Sequence, residues 1–121
     1  MENESNVRPL VLLVEDVEWI RAWMRASLEA HGYDVAEARD DGEALSAAER
    51  LRPSLVVTEE ELPTFDALLR RLREHPALAR VPVAVINPDA EDGARHGGAH
   101  SLADYRQLER LLTPHAPLKK D

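Results

Sequence analysis

Arg52-Pro53-Ser54-Leu55-Val56-Val57-Thr58-Glu59-Glu60-Glu61-Leu62-Pro63 is the stretch on which the fold turns. Leu55 to Val57 is a short aliphatic, β-branched run opened by Pro53 and Ser54, the pattern of a strand buried on both faces of a parallel sheet. The run stops at three carboxylates, Glu59, Glu60 and Glu61. In an open α/β sheet the C-terminal ends of the strands are where ligands and chemistry are placed.

Outward from this strand the same alternation repeats. Leu10 to Val14 reads as a first strand, apolar throughout, and runs into the acidic pair Glu15-Asp16. A helix is predicted from about Val17 to His31, with Ile20, Trp23, Met24 and Leu28 on its inner side and Gly32 as its left-handed stop. Asp34 to Ala38 is a short second strand. Asp40 and Glu43 have capping-box spacing, which starts a helix at Asp41 with Ala44, Leu45, Ala48 and Leu51 inward. A third helix is expected over Phe65 to His75, then a strand over Val81 to Ile86. The segment Asp89 to Ala99 carries Gly93, Gly97 and Gly98 and predicts only one or two irregular helical turns. A short edge strand near Ala99 to Leu102 precedes a last helix, opened by the Asp104/Gln107 capping pattern and presenting Tyr105, Leu108, Leu111 and Leu112. Strand and helix alternating in this way argue for an α/β doubly wound parallel sheet with helices on both faces.

The chain has 121 residues, enough for one domain with its own core. The expected division is a frayed N-terminus over 1–9, a domain over 10–112 and a tail over 113–121. There is no cysteine, so disulfides and thiolate metal sites are excluded. The polar, acidic start and the absence of a long apolar run predict neither signal peptide nor membrane span, and a cytoplasmic protein. Fifteen Lys plus Arg against 23 Asp plus Glu give a formal charge of −8, which disfavours direct nucleic-acid binding.

Two motifs carry a resemblance to a known family. Leu10-Val11-Leu12-Leu13-Val14-Glu15-Asp16 and Leu55-Val56-Val57-Thr58-Glu59 with Pro63 four residues on look like the first and third strands of the receiver domain of two-component response regulators. The resemblance covers roughly Leu10 to Leu112. It implies a flavodoxin-like, five-stranded sheet of order 2-1-3-4-5 with the fourth helix shortened or irregular. It also implies a stand-alone phosphorelay signalling domain, with a histidine kinase or other signalling protein as partner.

Receiver chemistry asks for an aspartate nucleophile, an acidic pair for magnesium, a hydroxyl after the fourth strand and a lysine after the fifth. Glu15 and Asp16 match the pair. Glu59 stands at the phosphoacceptor position, one methylene longer than aspartate, and Asn87 stands at the hydroxyl position. No Lys-Pro pair follows the fifth strand; the only lysines are Lys119 and Lys120. A degenerate pseudo-receiver, not phosphorylated and acting by protein-protein interaction, is the expectation. The alternatives are a receiver that still responds to phosphorylation and a metal-dependent phosphoryl hydrolase, which lacks a convincing nucleophile and general acid. Glu15, Asp16 and Glu59 form an acidic pocket that needs a divalent ion, a retained proton or an arginine nearby, so these three are the candidate ligands for Mg2+ or Ca2+.

Trp23 is expected in the core and Trp19 at the edge of its stripe, with Trp19 and Tyr105 as interface candidates and a homodimer as one form of partner. His96 and His100 have metal-ligand spacing, but Gly97 and Gly98 between them argue against a helix and against a ligand pair. Arg70, Arg71, Arg73 and Arg80 read as a solvated basic face.

Overall fold

The computed structural model describes residues 8–59, 65–87, 89–91, 93–96, 98–102 and 104–112, with Glu59 and His96 described by their backbone alone. Its elements are β1 (Leu10–Val14), α1 (Glu18–Ala30), β2 (Asp34–Ala38), α2 (Asp41–Leu51), β3 (Leu55–Glu59), α3 (Phe65–Glu74), β4 (Val83–Ile86), β5 (Arg95–His96) and β6 (Ala99–Leu102), then a 3-10 turn (Tyr105–Leu108) continuing into α4 (Glu109–Leu112).

The sheet runs β2-β1-β3-β4-β6-β5. Its first five strands are parallel, so the expected flavodoxin-like order 2-1-3-4-5 is present with β6 as the fifth strand. Runs such as Val11 to Val14 and Leu55 to Thr58 are wholly buried because helices cover both faces. On one face Leu12, Val14, Val56 and Val85 meet Ala44 and Ala48 of α2 and Leu68, Leu69 and Leu72 of α3. On the other, Val11, Leu13, Leu55 and Val57 meet Met24 and Leu28 of α1 with Tyr105 and Leu108.

Local chemistry sets the boundaries. Gly32, at φ +98°, ends α1 as its sequence position predicts. Asp40 caps α2 by accepting from the Glu43 amide at 2.8 Å. The fourth strand starts at Val83, two residues later than expected, because the Val81 amide closes a turn onto the Leu78 carbonyl at 3.1 Å and Pro82 has no N–H to offer. Residues 8 and 9 bond to the domain: Arg8 donates to the carbonyls of Gly32 and Glu29 at the C-terminus of α1, at 3.2 and 3.0 Å, and the Asp34 amide donates to the Pro9 carbonyl at 3.0 Å. The rest of the 1–9 segment and the 113–121 tail lie outside the described residues.

Three further expectations are corrected. Among the described residues between Ile86 and Ala99 there is no helix, only single turns closed by the Ala90 amide on the Asn87 carbonyl at 2.9 Å and the Ala94 amide on the Glu91 carbonyl at 3.0 Å; β5 then folds back antiparallel on β6, with Arg95 opposite His100 and His96 opposite Ala99. The glycines there favour a tight reversal, with Gly93 and Gly98 both at positive φ. The last helix opens as a 3-10 turn, its Asp104/Gln107 capping box present as expected. Leu51 and Trp23 are exposed, not inward. Trp23 lies one position off the Ile20-Met24-Leu28 stripe, and its ring meets Tyr105 edge-on from outside at 6.2 Å between centroids.

Candidate functional site

Strand register assembles the acidic edge. Val14 pairs with Thr58 and Glu59 pairs with Ile86, so Glu15, Glu59 and Asn87 leave the sheet side by side at its C-terminal edge.

Their surroundings differ from one another. Glu15 is 1% exposed, and its Oε2 accepts the Val17 amide at 3.0 Å. That bond caps the start of α1, whose N-cap residue Val17 has no side-chain acceptor of its own, and it puts a carboxylate at the positive end of the helix. Asp16 is exposed. Asn87 is tied into the loop it opens: its Oδ1 accepts the Asp89 backbone amide at 3.0 Å, and its own backbone N–H donates to the Leu102 carbonyl at 2.8 Å. Two buried hydroxyl residues, Thr58 and Ser101, flank Val85 across the sheet. By strand alternation they belong to the α2/α3 side.

A cation with little signal in the sequence also reaches this edge. Arg21 donates from Nη1 to the Glu15 carbonyl at 3.0 Å and from Nε to Glu37 at 2.8 Å, and Arg25 meets the other Glu37 oxygen at 2.7 Å. All that marks Arg21 in the sequence is its place one turn into α1, two positions from Trp19.

Arg25 first, and Arg21 after it, hold the Glu37 carboxyl below its ordinary 4.5 against the opposing effect of burial. A depressed carboxylate stabilises the fold above its unfolded pKa and loses that contribution as pH falls through the folded value. Glu37→Gln is accordingly expected to cost at most about 1 kcal/mol at neutral pH, since the pair is partly solvated. The gap between variant and parent should close as pH drops below about 4.5 in urea titrations. A gap that widens in acid would contradict this network.

The remaining site expectations divide. Trp19 is 73% exposed, in keeping with an interface role, whereas Tyr105 is 7% exposed and lies beneath Trp23 and His31, whose ring centroid is 6.0 Å away. Tyr105 therefore supports this surface from below. His96 and His100 lie on the two strands of a hairpin and not on one helix. Among the described residues, which do not include the Glu59 side chain, no group of three or more acidic, His or Cys side chains is arranged to hold a metal ion. Among those residues, too, no helix is long and apolar enough to cross a membrane.

This geometry has clear relatives. The chain superposes on the chemotaxis response regulator CheY4 of Vibrio cholerae with a TM-score of 0.72 at 21% identity, covering 88% of this chain and all of that one, a likeness of fold. The receiver domain of a sensor histidine kinase from Pseudomonas aeruginosa, whose structure holds a magnesium ion coordinated in its active-site cleft, matches with a TM-score of 0.70 at 25% identity over 89% of this chain and 97% of that one. By sequence the chain is 35% identical over 96 residues to the gliding motility regulatory protein of Myxococcus xanthus, covering 78% of this chain and 12% of that protein. It spans between 12% and 48% of the length of the first curated relatives it matches. With a family model for the response regulator receiver domain matching residues 11–103, most of the described sheet and its acidic edge, the chain belongs to the receiver domain family of two-component signalling.

Proposed function

We propose that this receiver domain is a degenerate one, not switched by aspartyl phosphorylation, and that it acts by binding a signalling protein such as a histidine kinase. The observation that carries the reading is Glu59 at the end of β3, where the receiver pattern asks for aspartate. The extra methylene displaces the carboxylate from the position an in-line attack on phosphorus requires. Asn87 supports the same reading, because its side chain is bonded into the loop and has no hydroxyl to offer a phosphoryl oxygen. A permanent carboxylate at position 59 partly imitates an acyl phosphate, with less charge and fewer oxygens.

Hard carboxylate oxygens are the donors magnesium or calcium takes, so Glu15, Asp16 and Glu59 are the residues that would hold such an ion. When bound, it would offset charge at the acidic edge. Glu15 keeps its bond to the Val17 amide through one oxygen, which leaves the exposed Asp16 as the more available ligand.

The surface offered to a partner is the outer side of α1. Trp19, Ala22, Trp23 and Ala26 are all exposed there, at the spacing of one helical stripe. Two large rings beside two small residues fit a helix laid alongside.

Incubation of the chain with acetyl phosphate and magnesium, followed by intact mass measurement, tests the central claim. No added phosphate is expected. A gain of one phosphate that disappears in Glu59→Gln would overturn it.

A further inference from the structure

At the opposite end of the sheet from the acidic edge, an open cleft of about 550 Å3 lies where β3, β4 and β6 begin. Its wall is basic. Arg73 from the end of α3, Arg80 from the following turn, and Arg95 and His100 from the β5/β6 hairpin all line it, and no described lining residue is acidic. Among the described residues no carboxylate forms an ion pair with Arg73, Arg80 or Arg95, although the chain as a whole carries a charge of −8. Like charges gathered without a counterion are costly unless something anionic joins them.

The cluster is also held in place. Arg73 donates from Nη1 to the carbonyls of Ala79 and Val81, at 3.2 and 3.0 Å. Arg95 donates from Nη2 to the Gly98 carbonyl at 2.8 Å and, through Nη1, lies 3.4 Å from His100 Nδ1. Those bonds leave guanidinium N–H groups of both arginines unspent, and Arg80 adds a further cation. Forked donors of this kind match a phosphoryl group, which takes paired N–H···O bonds from arginine. Leu111, Leu112 and Pro82 complete the wall with apolar surface, and the volume is that of an ordinary small-molecule site.

We propose that this cleft binds a nucleotide-sized phosphomonoester, its phosphate held by Arg73, Arg80 and Arg95 and its organic body against Leu111, Leu112 and Pro82. The site shares no residue with the acidic edge, so its existence does not depend on how Glu59 behaves.

His100 supplies an independent readout. Burial first, then Arg95 and Arg73, hold its imidazole below the ordinary 6.5, and those two arginines with Arg80 are the charged groups that face it among the described lining residues. A bound anion favours the protonated ring, so affinity should rise as pH falls through the imidazole range.

The experiment is a two-dimensional amide NMR titration of the full chain with AMP, inorganic phosphate, adenosine and sulfate at low salt. AMP is expected to shift the amides around Arg80, Arg95 and His100 and to bind roughly tenfold or more tightly than inorganic phosphate, with adenosine far weaker. Arg80→Glu, at a position with no described contact to lose, is expected to weaken AMP about tenfold or more with unchanged melting. Sulfate, whose charge is constant over this range, should bind more tightly in acid, and His100→Asn should remove that dependence. Equal affinity for AMP and phosphate would overturn the nucleotide assignment. The site itself fails if neither anion shifts these amides, or if Arg80→Glu leaves the affinity unchanged.

Discussion

Leu28→Ala is expected to destabilise the domain by about 2–5 kcal/mol, several times what an ordinary surface substitution costs. Leu28 is fully buried on the inner stripe of α1, packed with Met24 against Val11, Leu13 and Val57 of the sheet. Truncation removes its transfer free energy and leaves a cavity between a rigid sheet and a helix capped at both ends, by Glu15 at its start and by Arg8 and Gly32 at its finish. Those caps limit how far α1 can collapse into the space, which places the cost in the middle of the range or above. For a domain of this size the loss corresponds to a fall in Tm of roughly 10 °C or more. Thermal and urea melting followed by circular dichroism measures it. A loss below about 1 kcal/mol would mean that α1 is not seated on the sheet as described.

The same helix shows what the sequence could and could not tell. Its inner stripe was legible because Ile20, Met24 and Leu28 recur at helical spacing, and the strands were legible because β1 and β3 are unbroken apolar runs. Trp23 misled for a physical reason. A large aromatic next to an apolar stripe is ordinarily core, but here the space beneath it is already filled by Tyr105, so the ring lies outside. The acidic edge was readable as a set of residues, since parallel strands all end on one side, yet the capping role of Glu15 and the approach of Arg21 depend on where α1 starts relative to the sheet. The basic cleft was the least readable. Arg73 and Arg80 are close in sequence, and His100 lies on the edge strand expected near Ala99 to Leu102, but Arg95 joins them only because β5 forms in the stretch read as irregular and pairs with that strand. Arg71, from the same basic run, instead pairs with Asp41 at 3.2 Å, so the run divides between two unrelated surroundings.

Trp19→Ala and Trp23→Ala should separate stability from recognition. Trp19 has 73% of its surface exposed, so its removal is expected to change folding stability by less than about 0.5 kcal/mol. Trp23, 61% exposed, also covers Tyr105 edge-on, and losing that contact is expected to cost about 0.5–1.5 kcal/mol. Affinity for a partner helix should respond in a different proportion. Exposed tryptophans flanked by small residues have the character of interface anchors, whose truncation costs roughly 2–4 kcal/mol of binding, or about 30-fold to nearly a thousand-fold in Kd. Trp19→Ala is the sharper test, because an effect on binding cannot be ascribed to a weakened fold. Titration of each variant with the helical histidine-bearing domain of a sensor kinase that binds the parent chain would give the ratio directly. If Trp19→Ala binds that domain with the parent's Kd, the outer side of α1 is not the docking surface. A partner would then have to be sought at the β5/β6 hairpin, the final 3-10 turn and α4, where Arg106 and Glu109 are exposed and the α1 tryptophans play no part.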